Sequence, residues 1–362
     1  MPAKGGTVPY THDVAVVGGG IIGLSCAWAC ARRGLRTVVL ERGKTPGVAT
    51  HAAAGMLAPV TEAAFGEEDL LRAGVESARC YPAWAAELGV PLHEPGALMV
   101  ARDRDEAEAL ERELAFRVEL GLPVERLLPS RARRLEPALA PTIRLALDVP
   151  GDHAVDPRAL VAALATRVEV RRGEVERLEL PGGVVLAGGG RVEAEWIVIA
   201  AGAWAGGVRD GVPVRPVKGQ ILRLRDPAGP GAVERVLRMA DGYLVPRGDG
   251  RYVLGATMEE RGWDTAVTAG GVHELLHDAM ELVPGISEWV LEESTAGLRP
   301  ATPDNLPAVG PGWEPGLVWA VGHGRNGVLL APLTGELVAA VVDGDEPHLG
   351  ALDPRRFMAV RA

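Results

Sequence analysis

The stretch DVAVVGGGIIGLSCAWACARRGLRTVVLER, Asp13 to Arg42, constrains the chain more than any other. An unbroken apolar run leads into three glycines, then an apolar helical pattern stopped at Gly34, then a second apolar run ending at Glu41. That is one complete βαβ unit, because a strand buried on both faces reads as continuous hydrophobics. Gly18, Gly20 and Gly23 form GxGxxG at the strand-to-helix turn. Glycines there permit a tight turn, close approach of backbone to a pyrophosphate and close helix packing, and the helix amides face the phosphates. Glu41 stands 18 residues after Gly23, where a carboxylate accepts ribose hydroxyls and repels a 2′-phosphate. The unit predicts dinucleotide binding, NAD or FAD, against a purely structural glycine turn.

At 362 residues, the chain exceeds the size at which one core stops growing, so two domains, or one with a large insertion, are expected. With 38 basic and 48 acidic side chains, no cationic surplus is available for phosphate backbones, which excludes general nucleic-acid binding. Cys26, Cys30 and Cys80 form neither CxxC nor an even framework, which suits a reducing cytosol. The start MPAKGGTVPYTHD carries no apolar leader pattern, and no apolar run approaches the length of a membrane span. The expectation is a cytoplasmic protein with a small-molecule partner and no membrane contact.

Further along, helical patterns are predicted between Phe65 and Ala86 and in DRDEAEALERELAFRVELG, a charged and exposed helix closed by Gly121. Asp156 and Pro157 open another helix. VEVRRG, EVERLEL and GVVLAG suggest a small meander feeding the long buried strand in EWIVIAAGAWA. GQILRLR, GYLVPRG and RYVLGAT predict antiparallel pairing in a second, sheet-based domain. Lys218 reads as a strand-edge residue without chemistry, and the proline-interrupted STAGLRPATPDNLPAVG is expected to be irregular. GLVWAVGHGRNGVLLAPLTGELVAAVVDG repeats strand, glycine turn and helix.

Read in order, VVGGGIIG, ER, AAAGML, IAAGAWA, PVKGQ, YLVPR, VLGATM, AGLRPATPDNLPAVG and GHGRNGVLLAP resemble the FAD-dependent amino-acid oxidases of the D-amino-acid oxidase superfamily. Within it, the bacterial glycine oxidases that serve the thiazole branch of thiamine synthesis are most similar. The resemblance implies an α/β fold: a Rossmann-type FAD-binding domain built from separated segments (10–85, 150–215 and 296–362) plus an antiparallel-sheet substrate domain (86–149 and 216–295). It implies FAD held by Gly18, Gly20, Ile21, Ile22 and Gly23, with Glu41 and Arg42 near the adenosine ribose and Val175 meeting adenine through its main chain. Ala49, Thr50, Ala54, Gly55 and Met56 would run along the flavin. His323, Gly324, Arg325, Asn326, Gly327, Val328 and Leu329 would face its pyrimidine edge, where helix amides stabilise the negative charge of the reduced ring. No cysteine lies near that loop, so the FAD is expected to be non-covalent. A cytoplasmic homotetramer is also implied.

Arg299 offers a fork suited to a substrate carboxylate, or forms a structural ion pair. The resemblance assigns it the carboxylate, with Tyr243 donating to the same group; the alternative for Tyr243 is a core position. Arg325 is a second arginine for substrate or structure, and Met258 lines the flavin's vicinity or fills core. No side chain stands out as a base, so positioning of a neutral amine would carry the catalysis. The implied reaction is oxidative deamination of glycine, sarcosine, D-proline or D-alanine, with hydride passing to FAD and O2 giving H2O2. The imine would yield glyoxylate or another oxo acid plus ammonia; a D-amino-acid dehydrogenase with a quinone-type acceptor is the alternative. Three positions depart from the pattern: His51 for serine, Asp241 for histidine, and Gly324 for a larger residue, which makes room for substrates beyond glycine.

His273, Glu274 and His277 match HExxH, a zinc-hydrolase helix. On a helical wheel, Val272, Leu275, Leu276, Ala279, Leu282 and Val283 form the apolar stripe, and the histidines flank it. No third-ligand extension follows, so the helix is read as a solvated face and no metal is expected.

Overall fold

The computed structural model describes residues 10–43 and 48–361. Residues 1–9, on which the absence of a leader pattern was read, lie outside the described part. The fold is mixed α/β and divides into two compact units: residues 1–51, 158–215 and 299–362, and residues 52–157 and 216–298.

The first unit is built on a sheet ordered Val175–Glu179, Gly183–Leu186, Arg191–Ile199, His12–Val17, Thr37–Glu41, Glu169–Arg172. Strand His12–Val17 runs parallel to both neighbours, and Val14, Ala15 and Val16 are wholly buried, as a central parallel strand requires. Leu317–Val321 adds in parallel to the end of Arg191–Ile199, and Ala308–Pro311 pairs antiparallel to it. The meander has three strands where four were expected: Glu169–Arg172 pairs in parallel with Thr37–Glu41 at the opposite edge. Its four residues are exposed, as suits a polar edge.

Helix Ile21–Arg32 lies tightly on the sheet, because a Cβ at Gly23 would stand 1.9 Å from the Gly18 carbonyl oxygen. Helix Ala331–Val342 also packs closely on this helix: a Cβ at Gly335 would meet the Ser25 carbonyl oxygen at 2.8 Å. The small side chains are therefore a packing requirement.

The second unit carries a sheet ordered Val290–Ala301, Arg215–Arg225, Arg251–Gly255, Tyr243–Pro246, Val236–Arg238, Ala97–Ala101, Leu145–Val149, Glu125–Leu127. From Arg215–Arg225 through Arg251–Gly255 and Tyr243–Pro246 to Val236–Arg238 the strands pair antiparallel, as do Ala97–Ala101 and Glu125–Leu127 with Leu145–Val149, while Val236–Arg238 runs parallel to Ala97–Ala101. One face (Leu222, Leu237, Leu244, Leu254) packs on helix Ala269–Leu282 through Leu275, Ala279 and Leu282. The opposite face buries Val236, Val245, Val253 and Ile221 together with Ala52, Ala54 and Val60.

Residues 52–85 and 150–157, which the sequence reading grouped with the cofactor segments, cluster in this second unit. The reason is pairing: Met56–Leu57 and Leu92–His93 both hydrogen-bond to His153–Val155.

Two expectations are corrected. STAGLRPATPDNLPAVG is not irregular from its start, since strand Val290–Ala301 runs through Arg299 and Pro300. It is the edge strand of the sheet order, where proline's missing N–H is tolerated. Lys218 is not at a strand edge: it sits in Arg215–Arg225, between two partner strands, and its side chain is buried. Nζ lies 2.8 Å from Asp264 Oδ2 and 3.5 Å from Glu259 Oε2, and the hydrogen bond to Asp264 holds the ammonium pKa above its ordinary value. Among the described residues, no helix is long and apolar enough to cross a membrane.

Candidate functional site

In the first unit, the glycine turn is shaped by contacts that leave no space for side chains. Gly18 sits at φ +112°, where a Cβ would stand 2.4 Å from the Ala200 carbonyl oxygen, and a Cβ on Gly19 would meet Glu41 at 2.9 Å. Gly20 precedes the helix in extended backbone, no side chain caps the helix, and no acidic residue occupies its first turn. Such a helix start suits an anion. The Ile21 amide makes a long contact, 3.3 Å, with Thr50 Oγ1. Thr50 thus lies at the helix start; Ala49 shares its short helix Val48–Ala52, and the carbonyl of His51 accepts from Arg158 Nε at 3.0 Å.

Glu41 ties this turn to its surroundings. Oε2 accepts from the Gly19 amide at 2.6 Å, Oε1 from the Gly43 amide at 2.7 Å, and its carbonyl accepts from the Gly173 amide at 3.0 Å. Each carboxylate oxygen keeps a further lone pair for a ribose hydroxyl. Arg42 stacks its guanidinium 4.5 Å above the Trp204 ring and approaches Glu174 at 3.6 Å. Val175 follows Glu174 directly and opens the strand paired to Gly183–Leu186. Glu41 and Arg42 therefore meet Gly173 and Glu174, which lead into Val175, beyond the C-terminal ends of strands Thr37–Glu41 and Glu169–Arg172, and Trp204, which the sequence reading did not single out, joins them. This is a donor, acceptor and aromatic set that fits the adenosine half of a dinucleotide.

The loop from His323 to Leu329 is also fixed. The Gly324 amide donates to the Pro300 carbonyl at 2.8 Å, Ala301 bridges to His323, and a Cβ on Gly322 would lie 2.4 Å from Thr302 Cγ2. Arg299, half-buried, is thereby held beside the loop by its two successors. His323 is buried and 2.9 Å from Thr334 Oγ1; burial drives its pKa down to about 3, so the ring is neutral. Regular helix begins at Ala331, later than expected: Asn326 to Leu330 form one preceding turn, closed by the Leu330 amide on the Asn326 carbonyl at 2.9 Å. Asn326, Val328 and Leu329 are buried, Gly327 is half-buried and Arg325 is exposed.

In the second unit, Ala54, Met56 and Tyr243 lie on the same sheet face, packed with Val236, Val245 and Val253. The Tyr243 hydroxyl comes so close to Gly255 that a Cβ there would stand 2.8 Å from it. Gly55 sits at φ +79°, where a Cβ would stand 2.0 Å from the Val155 carbonyl oxygen. Arg247 secures this turn, donating to the carbonyls of Ala54 at 2.6 Å and Val155 at 3.4 Å. Met258 is 70% exposed, which removes core filling as its role.

Sequence reasoning missed a charged set on this unit. Arg117, in a helix read as exposed, is buried and donates to the carbonyls of Val60, Thr61 and Ala63 at 2.9, 3.0 and 3.1 Å. Asp152, also buried, accepts from the amides of Val60 at 3.2 Å and Thr61 at 2.6 Å; burial pushes its pKa up to about 6 against those hydrogen bonds. Between them they clamp the loop that carries Glu62, whose Oε1 lies 3.2 Å from Arg238 Nε. Only isolated charges inside apolar stretches (LAFRVEL, PVTEAAF, VPGDHAV) signalled these residues.

The HExxH helix presents His273, Glu274 and His277 to solvent. His277, Asp278 and Glu281 do bring ligand atoms within 4.8 Å of one another, but Arg102 already engages Asp278 at 3.0 Å and Glu281 at 3.2 Å.

Residues 13–341 match the DAO family, described as FAD dependent oxidoreductase. The chain is 38% identical to glycine oxidase of Geobacillus kaustophilus over 93% of this chain and 94% of that protein. It is 34% identical to the bifunctional protein ThiO/ThiG of Synechocystis sp. over 96% of this chain, spanning only 54% of that protein's length. The crystal structure of glycine oxidase from Geobacillus kaustophilus superposes with a TM-score of 0.89 at 36% identity, covering 95% of this chain and 98% of that one. With nearly the whole sequence matched, and the glycine turn, its carboxylate and its anion-ready helix in place, the chain belongs to the FAD dependent oxidoreductase family.

Proposed function

We propose that this protein is an oxidase of small amines and amino acids, namely glycine, sarcosine, D-proline and D-alanine, that passes electrons to O2 and forms H2O2. FAD is the cofactor, and the chemistry it supplies when bound is acceptance of two electrons and their return to an acceptor. The observation that carries the substrate class is the likeness to glycine oxidase along 93% of the chain. For glycine and D-alanine the overall change would convert amine, O2 and water into an oxo acid, ammonia and H2O2; sarcosine would release methylamine instead of ammonia, and D-proline would give a cyclic imine that keeps its nitrogen. A place beside thiazole formation in thiamine synthesis follows the likeness to ThiO/ThiG.

The chain's own residues would bind and orient. The first unit is the proposed cofactor unit: Gly18, Gly20, Ile21, Ile22 and Gly23 cradle the pyrophosphate, Glu41 and Arg42 take the ribose, and Val175 takes adenine. Ala49, Thr50 and the loop from His323 to Leu329 are proposed for the remainder of the cofactor, as are Ala54, Gly55 and Met56 of the second unit. His323, buried, neutral and 2.9 Å from Thr334 Oγ1, would serve to hold that loop in place. Arg299 is the proposed carboxylate partner, and Arg325 the more exposed, secondary one. Tyr243 is the proposed hydroxyl donor, and Met258 the proposed apolar contact. With the carboxylate fixed and the amine deprotonated, orientation lowers the barrier. Cys26, Cys30 and Cys80 are all thiols, which supports a reducing, cytoplasmic setting; a homotetramer rests on the family resemblance.

The test is to purify the yellow protein, add each amine without oxygen and follow loss of flavin absorbance, then admit air and measure H2O2. Bleaching by glycine followed by stoichiometric peroxide is expected. Bleaching without peroxide would replace the oxidase by a dehydrogenase, and no bleaching by any of the four would remove the substrate class.

A further inference from the structure

Arg238 and Tyr243 are directly opposed across an antiparallel pair of strands. Opposed residues share a sheet face. That face is the one bearing Ala54, Met56 and Val236, while the alternate positions Leu237 and Leu244 turn to the helix side. Arg238 therefore projects beside the proposed substrate tyrosine. Its Nη1 donates to the Gly242 carbonyl at 2.9 Å, and its Nε stands 3.2 Å from Glu62 Oε1. The side chains are 25% and 14% exposed, so the pair is partly withdrawn from water. Glu62 has little freedom to leave. Residues on both sides of it are held, Val60, Thr61 and Ala63 by Arg117 through their carbonyls, and Val60 and Thr61 by Asp152 through their amides.

We propose that the Glu62–Arg238 pair determines substrate charge: it restricts turnover to amines and amino acids with no ionised group beyond the α-carboxylate and the reacting nitrogen. This inference rests on the oxidase reading above. A substrate bringing a second carboxylate meets a guanidinium already neutralised, and Glu62 beside it. Displacing the glutamate would strand a partly buried anion. A substrate bringing a second ammonium faces the mirror problem with Arg238. Neutral side chains leave the pair intact, so rejection works by building an unfavourable charge state for the wrong substrate. Removing either member should expose the other: a free guanidinium recruits a carboxylate, and a free glutamate recruits a cation.

The test compares kcat/KM for glycine, D-alanine, D-aspartate and D-ornithine in the wild type, Glu62→Gln, Arg238→Gln and the exchanged pair Glu62→Arg/Arg238→Glu. In the wild type, both neutral substrates should exceed both charged ones by about a hundredfold. Glu62→Gln should narrow the gap between glycine and D-aspartate by about tenfold, Arg238→Gln the gap between glycine and D-ornithine by about tenfold, and the exchanged pair should restore both. Ratios among substrates are unaffected by a general loss of active protein. Wild type that oxidises D-aspartate as well as D-alanine overturns the proposal without any variant. So do variants whose ratios match the wild type. Wild type that oxidises none of the four fails the oxidase reading itself, a different outcome from unchanged ratios.

Discussion

Glu41 and Gly19 are 22 residues apart in sequence, yet Glu41 Oε2 accepts the Gly19 amide at 2.6 Å. The carboxylate thus shapes the glycine turn as well as standing ready for a ribose. Replacing it removes a charged acceptor from a buried backbone donor and, on the proposed reading, a partner of the ribose as well. Glu41→Ala should weaken FAD binding by about tenfold or more, measured by titrating flavin-free protein with FAD. Affinity equal to wild type would show that the carboxylate serves only the turn.

Gly23 faces the Gly18 carbonyl oxygen at a distance no Cβ tolerates, 1.9 Å. Gly23→Ala should therefore destabilise by roughly 1–3 kcal/mol in thermal or urea unfolding. Gly207, with nothing within 4 Å, is the control: Gly207→Ala should be neutral or slightly stabilising. Equal effects at the two positions would refute the packing argument.

Arg299 is held by the pairing of Pro300 and Ala301 with the loop at His323 and Gly324. Arg299→Ala should raise the apparent KM for glycine by at least about tenfold, through loss of a bidentate charged contact, and Arg299→Lys should recover only part of it. An unchanged KM in steady-state assays would take the carboxylate away from this residue.

His323 contributes a pH dependence whose sign follows from burial. Its pKa falls from 6.5 to about 3 on folding, so the unfolded chain binds the extra proton and stability rises with pH between those values. Asp152 moves oppositely, from 3.8 up to about 6, so its contribution is present below 3.8 and is lost as pH rises through 6. Comparing melting temperatures of wild type and His323→Gln cancels Asp152. The difference should grow in favour of wild type as pH rises from about 4 to about 7, then level off. A pH-independent difference would mean the imidazole is not buried as a neutral ring.

The three cysteines lie on helices Ile21–Arg32 and Glu68–Leu88, none of them in the His323–Leu329 loop. Acid precipitation should leave the yellow colour in the supernatant. Colour retained in the pellet would establish a covalent flavin.

The βαβ unit was legible from sequence because its determinants are local. Apolar runs, three glycines and a terminal carboxylate specify strand, turn and helix without reference to the rest of the chain, and strands His12–Val17 and Thr37–Glu41 fall where that pattern puts them. The alternation in GQILRLR and RYVLGAT likewise specified antiparallel partners. The HExxH match shows the limit of local reading in the other direction: its residue types suit a metal, and its exposed position is what the helical stripe implied.

Other features depended on distant partners. Strand Val290–Ala301 continues through Pro300 because it is an edge strand, a property of the sheet rather than of the segment. Lys218 is interior because Asp264 and Glu259 come to meet it. Arg117 in a charged helix and Asp152 in a short turn become the two halves of one clamp on Glu62, and Arg238 becomes the neighbour of Tyr243, only when the second sheet forms. Sequence by itself determined the N-terminal βαβ unit and the family. Tertiary structure decided which charges are buried, since a charge leaves water only where a partner from elsewhere in the chain compensates it.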